Sequence, residues 1–315
     1  MVPMSRLPLV SVRLMTYNHA DYIEQAIKSI LSQKVTFLVE IVIGDDLSTD
    51  DTLDRINKFK GSDNFILRIL NRHGDTEYAL KRRTIGRLYN HIDILRHCSG
   101  KYIAMLDGDD YWTDDLKLQK QVDFLEENNQ YTCCFHNTVK GTTFDEGILQ
   151  SFAESREVCL KDAYFHTIGH ISSMLFRVDC GIPEEALKVA PVADWTMKLH
   201  LLKDSRGYYM NDVMSFYRVH PKAMYAATGG FDQVALSLSA YDILPKFFID
   251  DSVSPRDIKL AFSKMSDKMV LLAMSRRNLS DLITGIRWSL KLMPIRNLVR
   301  LILHFSRIKR IEYVQ

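Results

Sequence analysis

Long apolar runs are missing from this sequence. No stretch approaches the roughly 20 residues that a membrane-spanning helix needs, and no short apolar core follows the N-terminus, so neither a spanning helix nor a secretory leader is expected. An excess of one charge is also missing. Lys and Arg total 41 against 39 Asp and Glu, a formal net charge of +2, which argues against nucleic acid as the main partner. Cysteine is sparse. The five present (Cys98, Cys133, Cys134, Cys159 and Cys180) are odd in number and lack metal-site spacing. They read as reduced core thiols of a cytoplasmic protein, with Cys133 and Cys134 on opposite faces of one strand. Internal repeats and low-complexity segments are absent too. What remains is ordinary globular usage, 46% hydrophobic and 25% charged over 315 residues, enough for one large domain or a domain with an appendage.

The stretch that organises the rest is KYIAMLDGDDYW, Lys101 to Trp112. Tyr102 to Leu106 reads as a buried strand that runs straight into Asp107, Gly108, Asp109 and Asp110. Three carboxylates in four residues repel one another and are costly to bury together. A hard divalent cation carrying its own phosphate ligands compensates them, and open α/β sheets bind ligands at the C-terminal ends of their strands. A metal-bound diphosphate is therefore the first reading. The plainer one is an acidic turn in which Gly108 supplies the dihedrals.

Before this stretch, Leu9 to Met15 reads as a strand, followed by Tyr17-Asn18-His19 and a helix capped by Asp21, with Glu24 completing a capping-box pattern. Ile23, Ala26, Ile27, Ile30 and Leu31 form its apolar face. Phe37 to Ile43 reads as a second strand ending in Gly44-Asp45-Asp46, and Ser48 or Thr49 caps the helix after it. Phe65 to Leu70 is a third strand. A helix carrying Lys81, Arg82, Arg83 and Arg87 runs from there to about His97, and Asp114 or Asp115 starts the helix after the central strand. This alternation predicts an α/β fold with a mostly parallel, doubly wound sheet, which brings Asp45-Asp46 and Asp107 to Asp110 to the same edge. Further on, Tyr131 to His136, Ile171 to Arg177, and Tyr208 to Val219 with a turn at Asn211-Asp212 read as strands; Asp194 to Lys203 reads as a helix. From about Met224 the pattern is helical, divided by Pro245, Pro255 and Pro294.

Three blocks, SVRLMTYNHADYIEQAIKSILSQ, EIVIGDDLSTDDT and KYIAMLDGDDYWTDDLKLQKQVDFLE, resemble family 2 of the glycosyltransferases, nucleotide-sugar enzymes of the GT-A fold. The resemblance runs from about Pro8 to His220, and ISSMLFR, VADW and FYRVH resemble the acceptor-side segments. It implies a Rossmann-like GT-A catalytic domain over residues 1–225 and a helical region over 226–315. Asp115 stands where many members have proline, which bears only on how the next helix starts.

Carried over residue by residue, the resemblance implies that Asp46 contacts the base, with Tyr17 against it. Asp107 and Asp109 form the DxD pair that binds the ribose and, through Mg²⁺ or Mn²⁺, the diphosphate of a UDP-sugar. Asp109 and Asp110 both stand as inner-sphere candidates, and His220, supported by Tyr217 and Arg218, reaches the metal or the diphosphate. Asp194 aligns with the catalytic base of an inverting transfer, with Trp195 packed beside it. Arg87 is the candidate basic contact to the nucleotide, with Arg82 and Arg83 as alternatives; His170, Ser172 and Ser173 are weaker candidates for the acceptor side. Each has a plainer reading: helix N-terminal charge for Asp45 and Asp46, a solvated helix face for Arg87, an N-cap for Asp194 and a structural histidine for His220.

The expected partners are a nucleotide-sugar donor and a glycan or lipid-linked acceptor of the bacterial cell surface. The basic–aliphatic segment Leu298 to Ile311 suits an anionic membrane surface at the inner face of the plasma membrane, the catalytic domain, or a second subunit in a homo-oligomer. A nucleotidyltransferase is the rival enzyme class, but it favours a Gly-rich basic loop after the first strand, and TYNHADY has neither glycine nor lysine. A non-catalytic nucleotide-sugar-binding protein is the second rival.

Overall fold

The computed structural model describes residues 7–70, 72, 76–143, 147–149, 151–223, 230–276 and 278–292. The chain divides into two compact units, Met1–Ala223 and Met224–Gln315. The first opens with β1 (Val10–Thr16), α1 (Ile23–Leu31), β2 (Val39–Asp45), α2 (Thr52–Ile56), β3 (Phe65–Ile69), α3 (Thr76–Ile85), α4 (Leu88–His97), β4 (Tyr102–Asp107), β5 (Tyr111–Trp112) and α5 (Lys117–Glu127). It continues through β6 (Cys133–Gly141), β7 (Ile148–Leu149), β8 (Arg156–Val158), α6 (Leu160–Phe165), β9 (Leu175–Arg177), α7 (Glu184–Val189), α8 (Ala193–Leu202) and β10 (Gly207–Arg218).

The sheet order is β3-β2-β1-β4-β9-β6-β10-β5, with β7 on β6 and β8 on β10. The first four strands are parallel, as the strand–helix alternation predicts. β1 and β2 are buried almost throughout, because helices cover both faces of a doubly wound sheet. Register then positions the site: Thr16 at the end of β1 lies opposite Asp45, and Met15 lies opposite Asp107. The two acidic strand ends thus flank the end of β1. Beyond β4 the pattern changes, since β9 runs antiparallel to both β4 and β6.

Several local expectations give way to tertiary contacts. Asp21 is not the cap of α1, whose N-cap is Tyr22; its carboxylate takes Lys222 at 3.1 Å. α2 starts only at Thr52, after Asp51, because Ser48 is bound back onto Asp45. The long basic helix is two helices. Gly86, at φ 89°, ends α3 as a left-handed C-terminal residue. The strand read from Ile171 begins as a 3-10 turn over Ile171–Ser173 and becomes β9 only at Leu175. Asn211 and Asp212 do not break β10, which passes them as a bulge between Met210 and Val213. All five cysteines are unpaired, and Cys133 and Cys134 are both buried on β6.

Gly100 packs against β1. A Cβ there would lie 2.6 Å from the Ser11 amide nitrogen and 2.8 Å from the Val10 carbonyl carbon. Backbone cannot give way as a side chain does, so Gly100→Ala is expected to cost about 2–3 kcal/mol of stability, read as a lower midpoint in urea unfolding.

The second unit holds α9 (Gly230–Ser239), 3-10 turns over Ala240–Asp242 and Leu244–Lys246, α10 (Pro255–Ser275) and α11 (Leu279–Leu292). Ser254 caps α10, accepting from the Asp257 amide at 3.1 Å while Asp257 accepts from the Ser254 amide at 3.1 Å, and Pro255 fills the first turn. Ile258, Phe262, Met269 and Val270 form its buried face. Among the described residues no helix is long and apolar enough to cross a membrane. Pro294 and the segment Leu298 to Ile311 lie outside the described residues.

Candidate active site

Two loops close over the end of β1. Asn18, at φ 53°, donates its amide to Ser48 Oγ and accepts from the Thr49 amide, both at 2.8 Å. The Ala20 amide donates to Asp50 at 3.2 Å. Asp45 serves this framework: Ser48 donates its amide and hydroxyl to the carboxylate at 2.8 and 2.5 Å. Burial pushes the Asp45 carboxyl up against those bonds.

Asp46 accepts the Tyr78 hydroxyl at 2.7 Å and Arg82 Nε at 2.8 and 2.9 Å. Behind it Arg72 gathers the layer. It donates to the Asp45 carbonyl at 2.8 Å, the Tyr78 hydroxyl at 2.9 Å, Asp93 at 2.6 Å and the Asn90 side chain, with its guanidinium 3.9 Å over the Tyr78 ring. With α2 starting six residues later, neither Asp45 nor Asp46 serves a helix N-terminus. Tyr17 stands half exposed at the mouth. Arg82 is the arginine on the Asp46 carboxylate, whereas Arg87 Nη2 reaches the Pro191 carbonyl at 3.0 Å.

The second acidic loop is held by β10. Because β5 pairs with Ser215 and Phe216, the end of β10 runs back beside Asp109 and Asp110. Arg218 donates its amide to Asp110 at 2.9 Å, Nε to the Asp109 carbonyl at 3.0 Å and Nη2 to Gln25 at 2.6 Å. Two residues on, His220 Nε2 lies 3.1 Å from Asp109 Oδ2, and His19 Nε2 from the first loop lies 3.6 Å from the same oxygen. Burial opposes ionisation of Asp109, yet the His220 bond and the two imidazoles hold its carboxyl below the usual range. Asp110 is the opposite case. Burial, with Asp109 and Asp107 beside it, pushes its carboxyl well above that range. Its other oxygen lies 3.6 Å from His170 Nδ1. Asp107 pairs with Arg13 at 2.6 Å.

His220 and His19 turn their Nε2 atoms to the same oxygen of Asp109, and the Nδ1 atoms of both are buried without a partner among the described residues. Among the described residues no group of three or more His, Cys, Asp or Glu could hold a metal ion. An ion taken up here would have Asp109 and an imidazole on the protein side and would bring its remaining oxygen ligands with it, as a metal diphosphate does.

Asp194 lies in the first turn of α8, whose N-cap is Val192, so it is not the cap. A third of its side chain is exposed and Lys198 Nζ is 3.3 Å away. Lys198, almost fully buried, also donates to the Gly169 carbonyl at 2.9 Å. Burial opposes ionisation of Asp194, but Lys198 and His170 hold it below the usual range. Trp195 turns toward α6, donating Nε1 to the Ala163 carbonyl at 2.8 Å. His170 stacks on Tyr217 at 4.2 Å and shares a bond with Ser172 Oγ at 2.9 Å; burial brings its pKa down to about 4, so it is neutral near pH 7. Ser172 and Ser173 are fully buried and do not line a cleft; their hydroxyls donate to Ser215 Oγ at 2.9 Å and the His170 carbonyl at 2.6 Å.

Arg13, His19 and the Arg218 backbone contacts escape the sequence reading. Arg13 alone carried a signal, since a cation inside the apolar run VSVRLMT must find a buried partner.

The model of Glycosyl transferase family 2 matches residues 11–182. The putative teichuronic acid biosynthesis glycosyltransferase TuaG of Bacillus subtilis is 31% identical over 216 residues, covering 67% of this chain and 79% of TuaG. The UDP-Glc:alpha-D-GlcNAc-diphosphoundecaprenol beta-1,3-glucosyltransferase WfaP of Escherichia coli is 30% identical over 215 residues, covering 68% and 78%. The chain spans about three-fifths of the length of its mycobacterial relatives of uncharacterised function, with which it shares 27% identity over 67% of its own length. In three dimensions it resembles S. aureus TarS 1-349 in complex with UDP-GlcNAc, with a TM-score of 0.65 over 96% of this chain and 88% of that one at 17% identity, a likeness of fold.

Proposed function

The chain belongs to glycosyl transferase family 2 and carries its GT-A α/β fold together with a helical C-terminal region, and on that premise we propose that it transfers a sugar from a UDP-sugar, with inversion, to a hydroxyl of a lipid-linked or glycan acceptor in cell-surface polysaccharide synthesis. The observation that carries this reading is the pair of acidic strand ends flanking β1, one of them meeting His220 and His19 at Asp109. A UDP donor is supported by the names of WfaP and the TarS complex, and a lipid-linked acceptor by that of WfaP. Residues 1–225 form the catalytic domain in this reading, and 226–315 stand outside the chemistry.

Asp46 reads the base by accepting its N–H. Tyr78 and Arg82 already fix that carboxylate, so a base that presents an acceptor there in place of the N–H is repelled. Tyr17 lies against the base, Asp107 takes the ribose, and Arg82 and Arg87 place positive charge on the donor side. Asp109 and His220, with His19 beside them, would hold Mg²⁺ or Mn²⁺. Asp110, the other ligand candidate, is turned to the Arg218 amide and His170 and shapes the loop. A divalent ion bound there supplies positive charge against the charge that develops on the departing diphosphate. Asp194 takes the proton of the acceptor hydroxyl as that oxygen attacks the anomeric carbon. Lys198, 3.3 Å away, keeps it ionised for this task. A single displacement requires no covalent nucleophile. A lipid-linked acceptor would bring the enzyme to the inner face of the plasma membrane, and Leu279, Ile283 and Leu290, exposed on α11, support such a contact.

The test is nucleotide release from UDP-Glc, UDP-GlcNAc, UDP-Gal and GDP-Man, with Mn²⁺ and with EDTA. One UDP-sugar is expected to release UDP in Mn²⁺ and not in EDTA. Release from GDP-Man alone would overturn the donor.

A further inference from the structure

We propose that Arg13 is a positioning residue for the donor nucleoside: it anchors one oxygen of Asp107 so that the other accepts the ribose hydroxyls. The proposal rests on the reading of this crevice as a nucleotide site.

Arg13 lies in the middle of β1, opposite Met105 of β4, and is fully buried. Its Nη1 is 2.6 Å from Asp107 Oδ1 and 3.4 Å from the Leu106 carbonyl. Asp107 is the only member of the pair that opens to solvent, with a quarter of its side chain exposed. Nε and Nη2 of Arg13 have no partner among the described residues. His91 of α4 is also fully buried, and neither of its ring nitrogens has a partner among the described residues. Burial and the Arg13 charge hold it well below the usual histidine range, so it stays neutral. The Arg13 charge is thus spent on one carboxylate oxygen.

Stability does not account for that arrangement. A buried ion pair seldom outdoes apolar packing, and unmatched buried donors are costly. An aliphatic residue, like Val12 and Leu14 on either side, would serve the strand as well. What Arg13 supplies is orientation. Asp107 lies within three residues of two other carboxylates that repel it, and a hydrogen-bonded cation beneath fixes where it stands. With Oδ1 bound below, Oδ2 is the oxygen left for a ligand. A carboxylate so held accepts hydroxyl protons in a set direction, through charge-assisted bonds stronger than neutral ones.

The experiment is calorimetry of UDP and its 2′- and 3′-deoxy analogues with Mn²⁺, on the unmodified chain and on Arg13→Met, Arg13→Lys, Asp107→Asn and Arg13→Met/Asp107→Asn. The unmodified chain is expected to lose about tenfold or more in affinity when the hydroxyl is removed, as a charge-assisted bond implies. Arg13→Met is expected to bind UDP about tenfold more weakly and to treat UDP and the deoxy analogue alike. Arg13→Lys should regain part of the discrimination. If Arg13→Met does not fold, the double variant decides: acting only through Asp107, Arg13 should add no loss beyond that of Asp107→Asn. Equal discrimination in Arg13→Met and the unmodified chain, a further loss in the double variant, or no discrimination in the unmodified chain would each overturn the positioning role. No UDP binding by the unmodified chain would instead overturn the crevice reading, and this role with it.

Discussion

Asp194→Asn is expected to lower kcat by about 10²–10⁴-fold, the range that a general base supplies, while leaving UDP affinity unchanged. The amide keeps the size of the carboxylate and can still meet Lys198, so α8 should stay in place. It cannot take a proton. Asp194 belongs to α8, whereas Asp46, Asp107 and Asp109 stand at or after the ends of β2 and β4, His19 after β1 and His220 after β10, so the donor side should not register the change. An interaction made only in the transition state lowers kcat without altering ground-state binding. Turnover and UDP calorimetry on one preparation separate the two. Full turnover in the amide variant would remove Asp194 from the chemistry. Weakened UDP binding would recast it as a donor contact.

Asp109→Ala is expected to be equally severe in a different quantity. UDP affinity in Mn²⁺ should fall to the value the unmodified chain shows in EDTA, and transfer should drop by on the order of 10²–10³-fold, as when a group that stabilises developing charge is removed. The reason is convergence. Asp109 Oδ2 is the atom that His220 and His19 both face, and without it the two imidazoles have no carboxylate between them. Asp110→Asn should behave otherwise. Its carboxyl is pushed well up by burial and the neighbouring carboxylates and accepts the Arg218 amide, a bond an amide oxygen can also accept. Metal-dependent UDP affinity should largely survive that change. If Asp110→Asn lost it and Asp109→Ala kept it, the ligand assignment would be reversed.

The strand ends were legible in the sequence because each is an apolar run stopping at carboxylates, at Asp45-Asp46 and at Asp107 to Asp110. Burial on both faces imposes the run, and the crevice receives the charges. Helix starts were not legible. Asp21, Ser48 and Asp114 all have side chains that cap helices, but Asp21 is taken by Lys222 and Ser48 by Asp45, and Asp114 accepts the Leu116 amide at 2.8 Å in the turn before α5, which starts only at Lys117. A local pattern cannot tell a cap from a residue that holds a turn ahead of the helix or pairs with a distant one. β9 was read as a strand, but its late start at Leu175 and its antiparallel direction were not, since three residues are too short to show a period or where it begins. The site divides the same way. Asp46, Asp107, Asp109 and Asp194 stand in short motifs, whereas the contacts that orient them (Arg82 on Asp46, Arg13 on Asp107, His19 and His220 on Asp109, Lys198 and His170 around Asp194) depend mostly on register and on which loops meet.

The edge where β1, β2 and β4 end is expected to bind a uridine diphosphate together with a divalent ion. Calorimetry of UDP on the unmodified chain, in Mn²⁺ and again in EDTA, tests it most directly. UDP is expected to bind one-to-one and to weaken at least about tenfold in EDTA, the lower end of what an outer contact to a bound metal is worth, with GDP binding more weakly than UDP in Mn²⁺. UDP affinity that is the same in Mn²⁺ and EDTA, or no binding of UDP in either, would contradict it.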